Sequence, residues 1–149
     1  MATTTVSQNA ARGGAFLISP CRPEDVFSPA DLNDDQKLIG KTAEEFVEKE
    51  VLPLASELEQ HKAGLMLQMM KKAGEIGLLG GAIPEEYGGS GLDKVSATML
   101  AEKLSAYGSF AVSHGGHAGI GTIPIVYFGT DEQKKKYLPK IATGEWISS

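Results

Sequence analysis

The sequence predicts an all-α fold, an orthogonal or up-down bundle of about five to six helices, on three observations. Apolar residues recur at helical spacing in successive segments. Two of these segments begin with the spacing of a capping box, Asn33 with Gln36 and Thr130 with Gln133. The remaining punctuation is a glycine-dense stretch at 83–93 that separates two helical patterns. At 149 residues with 42% hydrophobic content, the chain is long enough for one core.

Residues 1–32 read as a mobile tail and extended lead-in. The first fourteen are rich in Thr, Ala and Gly. Pro23 and Pro29 punctuate the remainder, with Ser28-Pro29 suited to start a short helical turn. Helical periodicity starts at Asn33. Asp34 and Asp35 complement the positive end of the helix dipole, and Leu38, Ile39, Phe46, Val47, Leu54 and Leu58 mark one face. Pro53 lies inside this pattern and predicts a kink near 51–54.

A second helix is expected over 65–76, with Leu65, Met69, Met70, Ala73 and Ile76 on one side and an end near Gly77 or Gly80. At 83–93, Pro84 holds Ile83 extended, Gly88, Gly89 and Gly91 allow positive φ, and Asp93 can cap the next helix. That third helix turns Val95, Met99, Leu100 and Leu104 inward. A fourth is expected from a Ser109 cap through Phe128, stopped by Gly129, with Gly115, Gly116, Gly119 and Gly121 in its middle. Four interior glycines cost roughly 3 to 4 kcal/mol if simply added. Either close approach of a neighbouring helix or space for a ligand can offset that cost, and the residues alone leave both open. The fifth helix starts at the Thr130 box and ends at Gly144, so the helical domain runs 33–144. Residues 145–149, with Trp146 and Ile147, read as the start of a strand.

The net charge of -5 and a single dense basic run, Lys134-Lys135-Lys136, argue against a nucleic-acid partner. Cys21 is the sole cysteine, so a disulfide-stapled secreted scaffold is excluded and a reducing compartment fits. No apolar run reaches the ~20 residues that a transmembrane helix needs. A cytoplasmic location is expected, or the mitochondrial matrix in a eukaryote, although the N-terminus has no clear transit-peptide character. His114 and His117 lie three apart but lack further ligands at helical spacing, so no metal site is expected. The run 116–121 has its glycines in the wrong spacing for a dinucleotide loop. Glu85 and Glu86 sit adjacent in an open loop, where nothing tunes them for acid–base work.

The loop Ile83-Pro84-Glu85-Glu86-Tyr87-Gly88-Gly89-Ser90-Gly91-Leu92-Asp93 resembles the hallmark loop of the acyl-CoA dehydrogenase family, where it joins two helices of the N-terminal domain. Phe128-Gly129-Thr130-Asp131-Glu132-Gln133, continuing to Leu138-Pro139, is similar to that domain's last helix junction, and Ala142-Thr143-Gly144-Glu145-Trp146 to its exit into the middle β-domain. The run Gly13-Gly14-Ala15-Phe16-Leu17-Ile18 and the glycine-rich helix look most like the long-chain branch.

The resemblance implies an FAD-dependent enzyme of fatty-acid β-oxidation. Such enzymes take an α proton with a carboxylate and pass a β hydride to the flavin. It implies a fatty acyl-CoA substrate, an electron-transferring flavoprotein as partner and a homo-oligomer. It places Gly115, Gly116, His117 and Ile120 at the acyl-chain end of the pocket, and so shifts the reading of the glycines towards ligand space. The catalytic base is expected beyond Ser149 and FAD mostly on domains outside these residues. The piece alone is therefore expected to be inactive, to bind FAD weakly at most, and to self-associate. A related flavin oxidase, an acyl-ACP-using relative and a stand-alone helical binding module are the competing readings.

Overall fold

A computed structural model describes residues 14–148. The expected tail at 1–13 lies outside the described residues. Of the described residues, those up to Asp34 form one compact unit and those from Asp35 onward another. In the first unit three short 3₁₀ turns succeed one another, at Ala15–Leu17, Pro23–Asp25 and Pro29–Asp31. Arg22 clasps Asp25 through two 2.9 Å hydrogen bonds. The turn expected at Ser28-Pro29 forms, with the Ser28 amide donating to Asp31 Oδ2 at 2.8 Å.

The second unit is helical, and among the described residues it contains no strand. Helix α1 (Asp34–Phe46) runs into a π-helical stretch, Val47–Val51, then a 3₁₀ turn, Leu52–Leu54, and α2 (Ala55–Glu59). Pro53 has no amide hydrogen to donate, so the α register fails one turn upstream of it, as expected. Ala43, Phe46, Val47, Val51 and Leu58 are buried along this composite helix. Leu38, expected on the same face, is exposed, because it lies on the opposite shoulder of α1 beside Lys41 and Thr42.

Helix α3 (Leu65–Glu75) buries Leu65, Met69, Met70 and Ala73 in the core it shares with α2 and with the helix that begins at Gly108. It ends in a Schellman motif: Gly77, at φ 82°, donates to Gly74 O at 3.0 Å, and Leu78 donates to Ala73 O at 2.9 Å. Ile76 lies at the C-cap of this end and is half exposed rather than buried.

The loop between α3 and the next helix is folded back on itself by backbone hydrogen bonds. Ser90 donates to Gly80 O (3.0 Å), Leu92 to Gly81 O (2.8 Å) and Gly91 to Ile83 O (2.9 Å), so the segment is a rigid strap rather than a tether. Asp93 then caps α4 (Lys94–Leu104), its Oδ1 accepting from the Ser96 amide at 2.9 Å. Partial burial pushes this carboxyl up, but hydrogen bonds from Ser96, Gln36 and the Val95 amide outweigh it and hold the group below its ordinary value.

Helix α5 (Gly108–His114), a π-helical segment at Gly115–Gly121 and α6 (Ile123–Phe128) form one interrupted rod. The uninterrupted helix expected from Ser109 to Phe128 is thus corrected. Four glycines give the backbone no side-chain restraint, and Pro124 cannot donate to the ladder. Ser109 is not the cap either: α5 begins at Gly108, and Ser109 Oγ donates to Glu59 Oε1 at 3.0 Å. The same carboxylate accepts from Tyr107 at 2.7 Å. A charged acceptor shared by two hydroxyls outcompetes the backbone amide for Ser109.

Helix α7 (Asp131–Ala142) begins at the capping box read from the sequence: Gln133 N donates to Thr130 Oγ1 (3.3 Å) and Thr130 N to Gln133 Oε1 (2.9 Å). Thr130→Ala removes one of these bonds and is expected to cost about 1 kcal/mol, read as a lowered urea midpoint with an unchanged slope.

Two apolar clusters result. The larger joins α1 to α5, with Phe110 fully buried and its ring 5.6 Å from that of Phe46. The smaller packs Leu138, Ile141 and Ala142 of α7 against Ile83 of the strap and Ile125 of α6. The strand expected from Glu145 does not form among the described residues, since no neighbouring extended segment offers a ladder. Instead Trp146 N donates to Lys140 O at 3.1 Å and the indole stacks near Tyr137 and under Lys140.

Candidate functional site

The α5–α6 rod carries no Asp, Glu, Lys or Arg over residues 108–128. One side of it is inside the domain and the other is not. Phe110, His114, His117 and Thr122 point inward and are buried. Val112, Ile120, Tyr127 and Phe128 point outward, with Ile120 82% and Phe128 86% exposed. The spacing of positions 112, 116, 119, 120, 123 and 127 puts them on one face of a helical rod. An uncharged face with large apolar groups in water is the surface of something that normally meets a partner or a ligand.

The surroundings of the four glycines bear on the close-packing explanation. A Cβ built on Gly115, Gly116 or Gly119 would meet no heavy atom within 4 Å. No neighbouring helix requires these three to be glycine. Gly121 is different: a Cβ there would lie 2.2 Å from Ser148 Oγ, so its missing side chain makes room for the exit segment, residues 145–148. Close packing therefore explains one glycine of the four, and open space lies before the others. The π register at Gly115–Gly121 widens the backbone at this same place.

The four residues expected at the acyl-chain end do not share one environment. Gly115 and Gly116 front the open space and Ile120 projects beside them. His117 faces the other way, with no exposed surface. Its Nε2 lies 3.1 Å from Ile141 O, and its Nδ1 accepts from the Ser148 amide at 3.0 Å. An amide N–H can only donate, so Nδ1 is bare and Nε2 carries the proton. His114 Nε2 in turn lies 2.8 Å from Leu78 O. The two imidazoles thus address separate carbonyls on separate segments, not a common point where an ion would sit.

Burial holds both imidazoles below the ordinary histidine value of 6.5, against the opposing pull of the Leu78 and Ile141 carbonyls. The unfolded chain takes up protons near 6.5 that the folded chain refuses. The stability that the two neutral rings contribute is present in full above that pH and is lost as pH falls through their folded-state values.

Gly119, Val112, Ile123, Tyr127 and Phe128 belong to the exposed face, and none was singled out as a site residue from sequence. Their signal was available as a second apolar stripe, out of phase with the buried one, on a segment without charge. Among the described residues no helix is long and apolar enough to cross a membrane, and no group of three metal-ligating side chains gathers.

Residues 33–145 match the acyl-CoA dehydrogenase N-terminal domain family. The chain is 49% identical over 138 residues to a probable acyl-CoA dehydrogenase of Bacillus subtilis, covering 93% of this chain and 23% of that protein. Bovine mitochondrial isovaleryl-CoA dehydrogenase is 35% identical over 120 residues, 79% of this chain and 28% of that protein. The crystal structure of a Bacillus anthracis acyl-CoA dehydrogenase complexed with FAD superposes with a TM-score of 0.84 at 53% identity, covering 91% of this chain and 24% of that one. The chain spans about a quarter of the length of these relatives. Strap, rod and α7 all fall within the matched residues, and the chain belongs to the acyl-CoA dehydrogenase family, whose N-terminal helical domain it forms.

Proposed function

We propose that this domain walls the acyl-chain end of the pocket in an FAD-dependent acyl-CoA dehydrogenase that desaturates fatty acyl-CoA between the α and β carbons in β-oxidation. The observation that carries this reading is the uncharged rod whose three glycines front open space on an exposed apolar face. Gly115 and Gly116 leave depth for a chain, and Ile120 flanks it. His117, buried behind them, fixes the backbone they belong to. An unbranched tail needs a dry slot without hydrogen-bonding groups, and residues 108–128 present to the outside only apolar groups, hydroxyls and bare backbone. Depth at this point favours long chains over short ones.

FAD, when bound, supplies the acceptor for the β hydride. The exposed face has no cation to pair with a pyrophosphate, so these residues fit the acyl chain and the ring edge, and the phosphates fall to domains outside them. The wall's own contribution is exclusion of water from the carbon that loses its proton. An electron-transferring flavoprotein as acceptor, a homo-oligomeric assembly and a cytoplasmic location belong to the same reading. The 149-residue chain by itself is expected to show no turnover.

The test is anaerobic titration of the longer protein that carries this domain with short, medium and long acyl-CoAs. Bleaching of the flavin absorbance, strongest with the longer chains and reversed by an electron-transferring flavoprotein, is the expected result. No bleaching with any acyl-CoA would overturn the reading, and rapid reoxidation by oxygen alone would make the protein an oxidase.

A further inference from the structure

Three segments of the domain meet at one buried ring. Through Nε2 the His117 imidazole holds the carbonyl of Ile141, near the end of α7, and through Nδ1 it holds the backbone of Ser148. Its own carbonyl accepts from Thr122 Oγ1 at 2.6 Å and lies 3.3 Å from Ser148 Oγ. Ser148 Oγ also lies 3.1 Å from Nδ1. The fit leaves no slack, since a Cβ at Gly121 would lie 2.2 Å from the same hydroxyl.

We infer that His117 is a proton-released latch: its neutral, Nε2-protonated ring fastens the exit segment 145–148 to the glycine-rich segment, and protonation at Nδ1 unfastens it. In the closed state every polar atom of the ring is used, two nitrogens against one carbonyl and one amide. A second proton can go only to Nδ1. There it would place one N–H against the Ser148 N–H, so the backbone bond is lost and the new N–H is left only the Ser148 hydroxyl, 3.1 Å away, to accept it. Release is local, because Trp146 N still donates to Lys140 O.

The charges around the ring leave it as the titrating group. On its own rod the other titratable groups are His114, engaged with Leu78 O, and the exposed Tyr127 on α6. On α7, Lys136 lies over the Tyr137 ring at 5.2 Å and Lys140 over Trp146 at 4.6 Å, while Lys134 and Lys135 are neighbours on the same helix. Glu145 of the exit segment pairs with Lys140 at 2.8 Å. Of these only His114 shares a charge interaction with His117, one that disfavours protonating both, and the proton affinity of His117 is lowered chiefly by burial, against the pull of the Ile141 and Ser148 backbone groups. The latch is independent of what occupies the exposed face on the other side of the rod.

The experiment is amide hydrogen exchange of the longer protein that carries this domain, read by NMR across a pH series, each rate divided by its intrinsic value. Protection of the Ser148 amide should be constant above pH 6.5, the ordinary histidine value. Between that value and the depressed pKa of the closed ring it should fall by up to about tenfold per pH unit, one proton per release, and level off below. The Leu92 amide, bonded to Gly81 O at 2.8 Å in the strap, should show no such step. His117→Asn puts a carbonyl oxygen where Nδ1 stood, and should keep Ser148 protected while abolishing the pH step. Imidazole nitrogen shifts of the unmodified chain give a readout that does not depend on that variant folding: at neutral pH, Nδ1 bare and Nε2 protonated. Protection of Ser148 that ignores pH, or an Nδ1-protonated ring at neutral pH, would overturn the proposal.

Discussion

Gly89→Ala should destabilise the domain by about 3 kcal/mol or more, the upper end of what overpacking costs. A Cβ on Gly89 would sit 2.1 Å from Ile83 O and 2.4 Å from Ile83 Cβ. Neither can retreat. Ile83 O accepts the Gly91 amide at 2.9 Å, and the Ile83 side chain is fully buried against Leu138, Ile141 and Ala142. The added methyl must therefore break the strap's hydrogen bonds or push it off α7. The neighbouring Gly88 separates this effect from simple loss of a glycine. Gly88 has φ 82° but nothing within 4 Å of its Cβ, so Gly88→Ala carries only the left-handed penalty of roughly 1 to 2 kcal/mol. Chemical denaturation of the two variants side by side measures the difference. Equal losses would mean that the strap's close approach to Ile83 contributes nothing.

That contrast also shows where the sequence is informative and where it stops. Capping at Thr130 and Asp93, the break near Pro53 and the turn at Ser28-Pro29 were all legible, because each depends on residues within four positions of one another. Which glycine of the strap is needed for its φ and which for its lack of Cβ was not, since the second depends on Ile83 reaching back across the loop. Ser109 was misassigned for the same reason: its partner, Glu59, is fifty residues away. The rod's glycines and His117 were recognisable as unusual. Their division between an open face and a buried one requires knowing that α7 lies on one side only. The strand at 145–148 failed because aromatic and branched residues give a propensity, whereas a ladder needs a second strand.

If a ligand occupies the space before Gly115, Gly116 and Gly119, these residues are glycine for function and not because the fold demands it. Stability and function then move in opposite directions at one position. With the space open, Gly116→Ala meets nothing and removes backbone freedom from the unfolded chain, so the domain should gain up to about 1 kcal/mol. A longer side chain at the same place should obstruct the slot. Each methylene of mismatch in an apolar pocket is worth roughly 10- to 200-fold in discrimination, so Gly116→Leu should lower kcat/KM for long acyl-CoAs at least about tenfold relative to short ones. Flavin content should stay unchanged and the unfolding midpoint should not fall.

The decisive quantity is therefore the ratio of long-chain to short-chain kcat/KM for Gly116→Leu in the longer protein carrying this domain, read by flavin bleaching. The expected ratio falls by about tenfold or more in a protein that still folds and binds FAD. An unchanged ratio, or a loss of folding that abolishes activity on short and long chains alike, would show that the glycines do not line an acyl slot.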